Sequence, residues 1–171
     1  MSGGLSVSTV VARDGAGARG VPRGRLTGLS LEMATGAVAI LGTPEDGTIA
    51  LFDVLVGRRR PDRGTVRVAG RDPARESRTI ELALALALEA PALVVVHEPF
   101  ADVTQPAEQT ALALRGAAER APVVVLTSSP ADAKRFDRVL VLSRGVLVRD
   151  SVGAHAELGA PLAASLIAWV A

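Results

Sequence analysis

The chain of 171 residues has no cysteine, no tyrosine, one tryptophan and three phenylalanines. Without cysteine there are no disulfides and no thiolate metal ligands, which fits a reducing compartment. Few aromatic side chains means few groups able to stack on a nucleobase. Lys134 is the only lysine among 19 basic residues, so any chemistry that needs a primary ammonium must find it there. The arginine and alanine bias reads as genomic base composition. Basic and acidic residues nearly cancel to a net charge of +1, which excludes a bulk basic field directed at nucleic acid or a membrane surface. The opening "MSGGLSVSTVVARDG" lacks the charged-then-apolar pattern of a signal peptide. The apolar stretches, broken by Glu89 and Pro91, fall short of the ~20 residues of a spanning helix. The expectation is a cytoplasmic protein with no direct membrane insertion, held at the inner face of a membrane only through a partner.

What is present suits a packed core: 49% hydrophobic and 22% charged residues, in one domain over residues 1–171 that buries roughly 70% of its unfolded-chain surface. Two short strands, Leu5–Val11 and Leu26–Leu31, flank the Gly/Pro/Arg-rich loop "RDGAGARGVPRGR". "GAVAIL" follows as a strand, then "TIALFDVLVG" as a helix with Ile49, Phe52 and Val56 on one face and Gly57 ending it. Arg58, Arg59 and Arg60 complement the negative end of that helix. A short strand is predicted over Thr65–Ala69, a helix before Pro91, and a buried strand at Leu93–Val96. A helix after Pro106 carries Ala107, Ala111, Leu114 and Ala118 on one face, and Pro122–Thr127 is another buried strand. A hairpin turns at Arg144–Gly145. Continuous Val/Leu strands alternating with helices predict an α/β domain with a mainly parallel sheet, flanking helices and a small antiparallel portion on the N-terminal side. The strands at Ala37–Leu41, Leu93–Val96 and Pro122–Thr127 should share that sheet.

Four stretches in order resemble the ATP-binding cassette (ABC) subunits of transporters. "LTGLSLEMATGAVAILGTPEDG" resembles the lead into that family's P-loop, and "LVGRRRPDRGTVRVAGRDP" the segment after the P-loop helix. "APALVVVHEPF" resembles its Walker B strand, and "VVVLTSSPADAKRFDRVLVLSRGVLV" its switch-histidine strand and following hairpin. The resemblance covers most of residues 26 to 150 and implies a P-loop NTPase-like fold, with ATP hydrolysis driving a membrane partner. Carried over residue by residue, it implies a chain stripped of that chemistry. The P-loop position is Gly42, Thr43, Pro44, Glu45, Asp46, Gly47, Thr48 and Ile49, with Thr48 where the lysine belongs and Ile49 where the magnesium-binding hydroxyl belongs. His97 takes the place of the Walker B aspartate and Ser128 that of the switch histidine. Glu98 alone stands intact, in the place of the catalytic carboxylate that would position water beside a γ-phosphate. The only glutamines are Gln105 and Gln109, no glycine lies between Gly70 and Gly116, and the first aromatic is Phe52. The family's glutamine loop, signature motif and adenine-stacking aromatic therefore have no counterparts. Only the 26 residues Arg71 to Val96 lie between Gly70 and His97, so the family's helical subdomain is expected to be largely deleted.

In "GTPEDGT" two carboxylates arrive where a P-loop carries a lysine. Each is worth roughly 0.3–1 kcal/mol at a bare helix N-terminus. Asp46 is predicted to be the N-cap, and Pro44 to open a type I turn that Gly47 closes. The loop reads as a closed turn that supplies its own anion, against the alternative of a surviving phosphate site. His97, His155 and the scattered acids have no metal-ligand spacing, and Ser128 and Ser129 sit in no nucleophile elbow. The apolar stretch "PLAASLIAWVA", with Leu162, Leu166 and Trp169 on one face, reads as core or as a partner-binding helix. No cofactor and no metal are expected; ATP with magnesium enters only if the degenerate loop still binds. The expected role is a pseudo-ATPase acting as structural or regulatory partner of a membrane permease or an intact cassette subunit. The alternatives are a subunit binding ATP weakly in a composite site, and an α/β interaction module with no transporter link.

Overall fold

The structure is a computed structural model that describes residues 4–13, 24–76, 91–101 and 106–153. Among these residues eight strands form two sheets. β1 (Leu5–Ala12), β2 (Leu26–Met33) and β4 (Arg63–Val68) make an antiparallel sheet in the order β2-β1-β4. β3 (Gly36–Leu41), β5 (Val94–His97), β6 (Pro122–Thr127), β7 (Arg138–Ser143) and β8 (Val146–Val152) make the second, in the order β5-β6-β3-β7-β8. Its first four strands run parallel, and β8 returns antiparallel to β7 across the Arg144–Gly145 turn. Among the described residues, four helices accompany them: α1 (Thr48–Leu55), the single turn α2 (Pro73–Glu76), α3 (Ala107–Ala118) and the single turn α4 (Pro130–Ala133).

The valine runs are continuous because the larger sheet is covered on both faces. Successive side chains of a strand point to opposite faces. On β3, Val38 and Ile40 enter one core while Ala39 and Leu41 enter the other; on β6, Val124 and Leu126 divide from Val123 and Val125 in the same way. The first core also takes the antiparallel sheet, through Leu5, Val7, Leu26 and Leu29, and the helix α1. The second takes α3 through Leu114 and Ala117, with Phe136 beneath it. Each fully buried leucine or valine contributes roughly 1.5–3 kcal/mol from apolar surface removed from water.

The three strands expected in one sheet lie there as neighbours, with small shifts of boundary: β5 runs Val94–His97 rather than Leu93–Val96. β4 begins at Arg63 rather than Thr65, because β1 bulges between Ser8 and Val11 and brings Val11 opposite Arg63. Arg-Gly has little strand propensity, so only the pairing reveals the extension. α1 buries Ala50, Leu51, Val54 and Leu55, while Ile49, Phe52 and Val56 form its half-buried flank. Gly57 follows it with φ 70°, the left-handed conformation that ends helices. α3 buries Ala111, Leu114 and Ala118 as expected. Most of the segment expected to hold a shortened connection and one helix, the second histidine His155, and the C-terminal apolar stretch with Leu162, Leu166 and Trp169 all lie outside the described residues.

Across the β7–β8 pair, Arg138 grips Asp150 with two nitrogen–oxygen contacts, 3.1 and 2.8 Å. The hydrogen bonds from Arg138 hold the Asp150 carboxyl below its usual range. A carboxyl lowered on folding stabilises above its unfolded pKa of about 3.9, and loses that contribution as pH falls through the lower folded value. Both side chains are substantially exposed, so solvent screening limits the pair to about 0.2–1 kcal/mol. Asp150→Asn should therefore lower stability by less than about 1 kcal/mol at pH 7. Urea melts of the two proteins at a series of pH values should converge in acid; a gap that widens there would contradict the assignment.

Candidate functional site

The carboxyl ends of β3, β5 and β6 converge, and that is where an open α/β sheet offers a crevice to ligands. β3 delivers Gly42, whose N–H donates to the Thr127 carbonyl at 3.0 Å and ties the loop to the end of β6. Pro44–Asp46 then form one 3-10 turn, and Gly47, with φ 104°, leads into α1. A side chain at Gly47 would press a Cβ to 2.9 Å from the Arg25 carbonyl, so glycine is required by close approach as well as by φ.

Asp46 is not the N-cap of α1; Gly47 holds that position and offers no side-chain cap. The capping residue is Thr43, one turn earlier. Its hydroxyl accepts from the Asp46 N–H at 3.3 Å, while the Asp46 carboxylate accepts from the Thr43 N–H at 3.0 Å and the Thr43 hydroxyl at 2.8 Å. The other carboxylate oxygen accepts from the Arg144 N–H at 3.1 Å, and the Asp46 carbonyl accepts from the Gly145 N–H at 2.9 Å. One aspartate therefore fastens its own turn and the β7–β8 hairpin. Thr-Pro-Glu-Asp is a variant of the capping-box pattern, a signal available in the sequence. Nothing in the sequence points to the main chain of Arg144.

A P-loop works because several main-chain N–H groups aim at one empty spot. Here four of those donors are engaged inside the loop. Thr43 donates to Asp46, Asp46 to Thr43, Gly47 to Pro44 and Thr48 to Thr43, and proline has no N–H to give. Thr48, which the resemblance sets in the lysine position, is 1% exposed, and its hydroxyl is a buried oxygen without a hydrogen-bond partner among the described residues. Ile49, which the resemblance sets in the place of the magnesium-binding hydroxyl, is half-buried and apolar. An arriving triphosphate would also meet Glu45 and Asp46; two like charges ~4 Å apart repel by about 4 kcal/mol near a protein surface.

Glu98 and Ser128 are brought together. One Glu98 oxygen accepts from the Ser128 N–H at 2.7 Å and the other from the Thr127 hydroxyl at 3.2 Å. Its backbone sits at φ 49°, and its N–H donates to the Leu126 carbonyl at 2.8 Å. The carboxylate thus closes the end of β6, both oxygens engaged. His97 is exposed and turned elsewhere: its ring centroid lies 6.0 Å from that of Phe52, which also carries the Arg58 guanidinium 5.3 Å from its centre. Arg58 further reaches Asp53, and Arg59 reaches Asp62. Among the described residues no cluster of three His, Asp or Glu could hold a metal, and no helix is long and apolar enough to cross a membrane.

No family model matches the chain, and no curated protein matches it. Among solved structures, its fold is similar to that of a bacterial Atm1-family ABC exporter with ATP bound, at a TM-score of 0.66 and 17% identity. The likeness covers 99% of this chain and 42% of the exporter chain. It establishes a shared fold.

Two substitutions test the loop. Asp46→Ala strands the Thr43 and Arg144 donors and should cost about 1–3 kcal/mol, read by chemical denaturation. Thr48→Val replaces an unpartnered buried hydroxyl with a methyl of similar shape and should raise stability by about 1 kcal/mol. A destabilised Thr48→Val protein would mean that the hydroxyl has a partner.

Proposed function

We propose that this chain is a degenerate ABC-type subunit that neither hydrolyses ATP nor binds it usefully, and that serves as a structural or regulatory partner of a membrane permease or an intact cassette subunit. The fold likeness to an ABC exporter supports the transporter connection. The engagement of the loop's donors by Asp46 and Thr43 is the observation that carries the non-catalytic part. Lysine, magnesium-binding hydroxyl, Walker B aspartate and adenine-stacking aromatic are replaced or missing, and Glu98 acts as a structural acceptor at the end of β6. A partner would hold the protein at the cytoplasmic face of the membrane.

Calorimetric titration with Mg-ATP is the direct test. The expected result is no saturation at millimolar nucleotide and no phosphate release; a micromolar dissociation constant would overturn the proposal. Replacing Glu45 and Asp46 with glycine, Thr48 with lysine and Ile49 with serine removes the internal anion and restores the missing groups. If that variant folds and gains nucleotide affinity, the loop is a disarmed phosphate site; if it folds and does not, the loop is a closed turn of another origin. Pull-down from native membranes should bring a permease or an intact cassette subunit with the wild-type chain.

A further inference from the structure

The charge of this protein is balanced in total but not in place. On the antiparallel sheet, the residues that leave the core form an exposed face of hydroxyls: Ser8 and Thr65 pair across β1 and β4, and Ser6 stands between Arg67 and Glu32. β4 is the margin of that sheet. Its alternation buries Val66 and sends Arg63, Thr65 and Arg67 outward. Arg60 precedes them on the loop from α1 and is also exposed. The neighbouring arginines are matched, Arg58 by Asp53 and Arg59 by Asp62. Arg60, Arg63 and Arg67 have no acidic partner among the described residues. The margin of the sheet is therefore a strip of unmatched positive charge.

The main chain of β4 adds a second constraint. Val68 exchanges hydrogen bonds with Arg71, both at 2.9 Å, on the side away from β1, so the free edge is closed at that end by its own turn. A partner there is recognised by side chains more than by strand addition. Arg63 and Arg67 lie four residues apart on one strand, about 13 Å, so an extended segment with acidic residues at matching intervals would meet both. A guanidinium engages a carboxylate through two parallel N–H donors, which favours arginine over lysine for that purpose. The described outward face of the sheet carries no aromatic side chain. It thus lacks both the anchors that seat proteins at a lipid interface and the rings on which unpaired bases stack.

We propose that the Arg60–Arg63–Arg67 strip is a docking surface for an acidic, extended segment of a protein partner. It lies on the margin strand of the antiparallel sheet and stands independently of the nucleotide reading.

Fluorescently labelled poly-L-glutamate, titrated into the full chain at low salt, is the probe. Binding should weaken at least tenfold when Arg63 and Arg67 are both changed to Glu, and fall steeply as salt is raised. It should stay within about twofold when Arg120 and Lys134, exposed elsewhere, are changed to Glu. Arg63→Gln with Arg67→Gln should give an intermediate loss, and thermal melts of each variant establish that it is folded. Equal loss in the Arg120 and Lys134 variant, or no binding by the wild type, would overturn the proposal. Tighter binding to phosphatidylglycerol vesicles or to single-stranded RNA than to polyglutamate would overturn it as well, in favour of a different class of partner.

Discussion

The carboxylate of Asp46 is the constraint on which the loop region depends. It joins the turn after β3, through Thr43, to the β7–β8 hairpin, through the Arg144 N–H. The hairpin in turn receives the start of β2, because the Thr27 N–H donates to the Gly145 carbonyl at 2.9 Å. Hydrogen bonds to an ionised acceptor are roughly twice as strong as neutral ones. Gly47 and Gly145 both pack against the Arg25 carbonyl, each with positive φ, so two other segments close around the turn with no room for side chains. A single internal anion organises what a bound phosphate organises in a nucleotide site.

The larger sheet explains why that anion matters to the rest of the molecule. Its central strands are buried on both faces, and the carboxyl ends of β3, β5 and β6 come together at one edge of the sheet. There Glu98 bonds to Thr127 and Ser128, and Asp46 bonds to Thr43 and Arg144. Two acidic side chains therefore occupy, from within the chain, the region in which an open α/β fold usually receives a ligand. The Asp46 and Glu98 bonds are satisfied in the folded protein as it stands, so a ligand must break them before it can make its own.

The described strands, with α1 and α3, were legible in order because the valine-rich runs read as two-sided strands, and Gly57 and Gly145 mark the end of α1 and the hairpin turn. Boundaries were less legible where pairing overrides propensity: Arg63 and Gly64 enter β4 only because β1 bulges opposite them. In the loop, the arrival of two carboxylates and the loss of lysine pointed to an internal anion. The assignment of Asp46 as N-cap missed by one turn, since capping is local but which turn is capped depends on φ at Gly47. The Arg144 N–H was invisible in principle. Main-chain donors are identical in every residue but proline, so only the fold shows which one reaches a distant carboxylate.

The same electrostatic demand lets one backbone outline form around an internal anion or around a phosphate. A helix that follows a parallel strand begins with unpaired N–H groups and a positive dipole end, whatever the loop before it binds. An external anion meets that demand in a nucleotide site. Here Gly47 offers no capping side chain, and negative charge comes instead from Glu45 and Asp46 immediately upstream. Strand, glycine, turn, glycine and helix are common to both solutions, so the outline cannot tell them apart. The destinations of four N–H groups can. In this chain Thr43 donates to Asp46, Asp46 and Thr48 to Thr43, and Gly47 to Pro44, and the loop closes on itself.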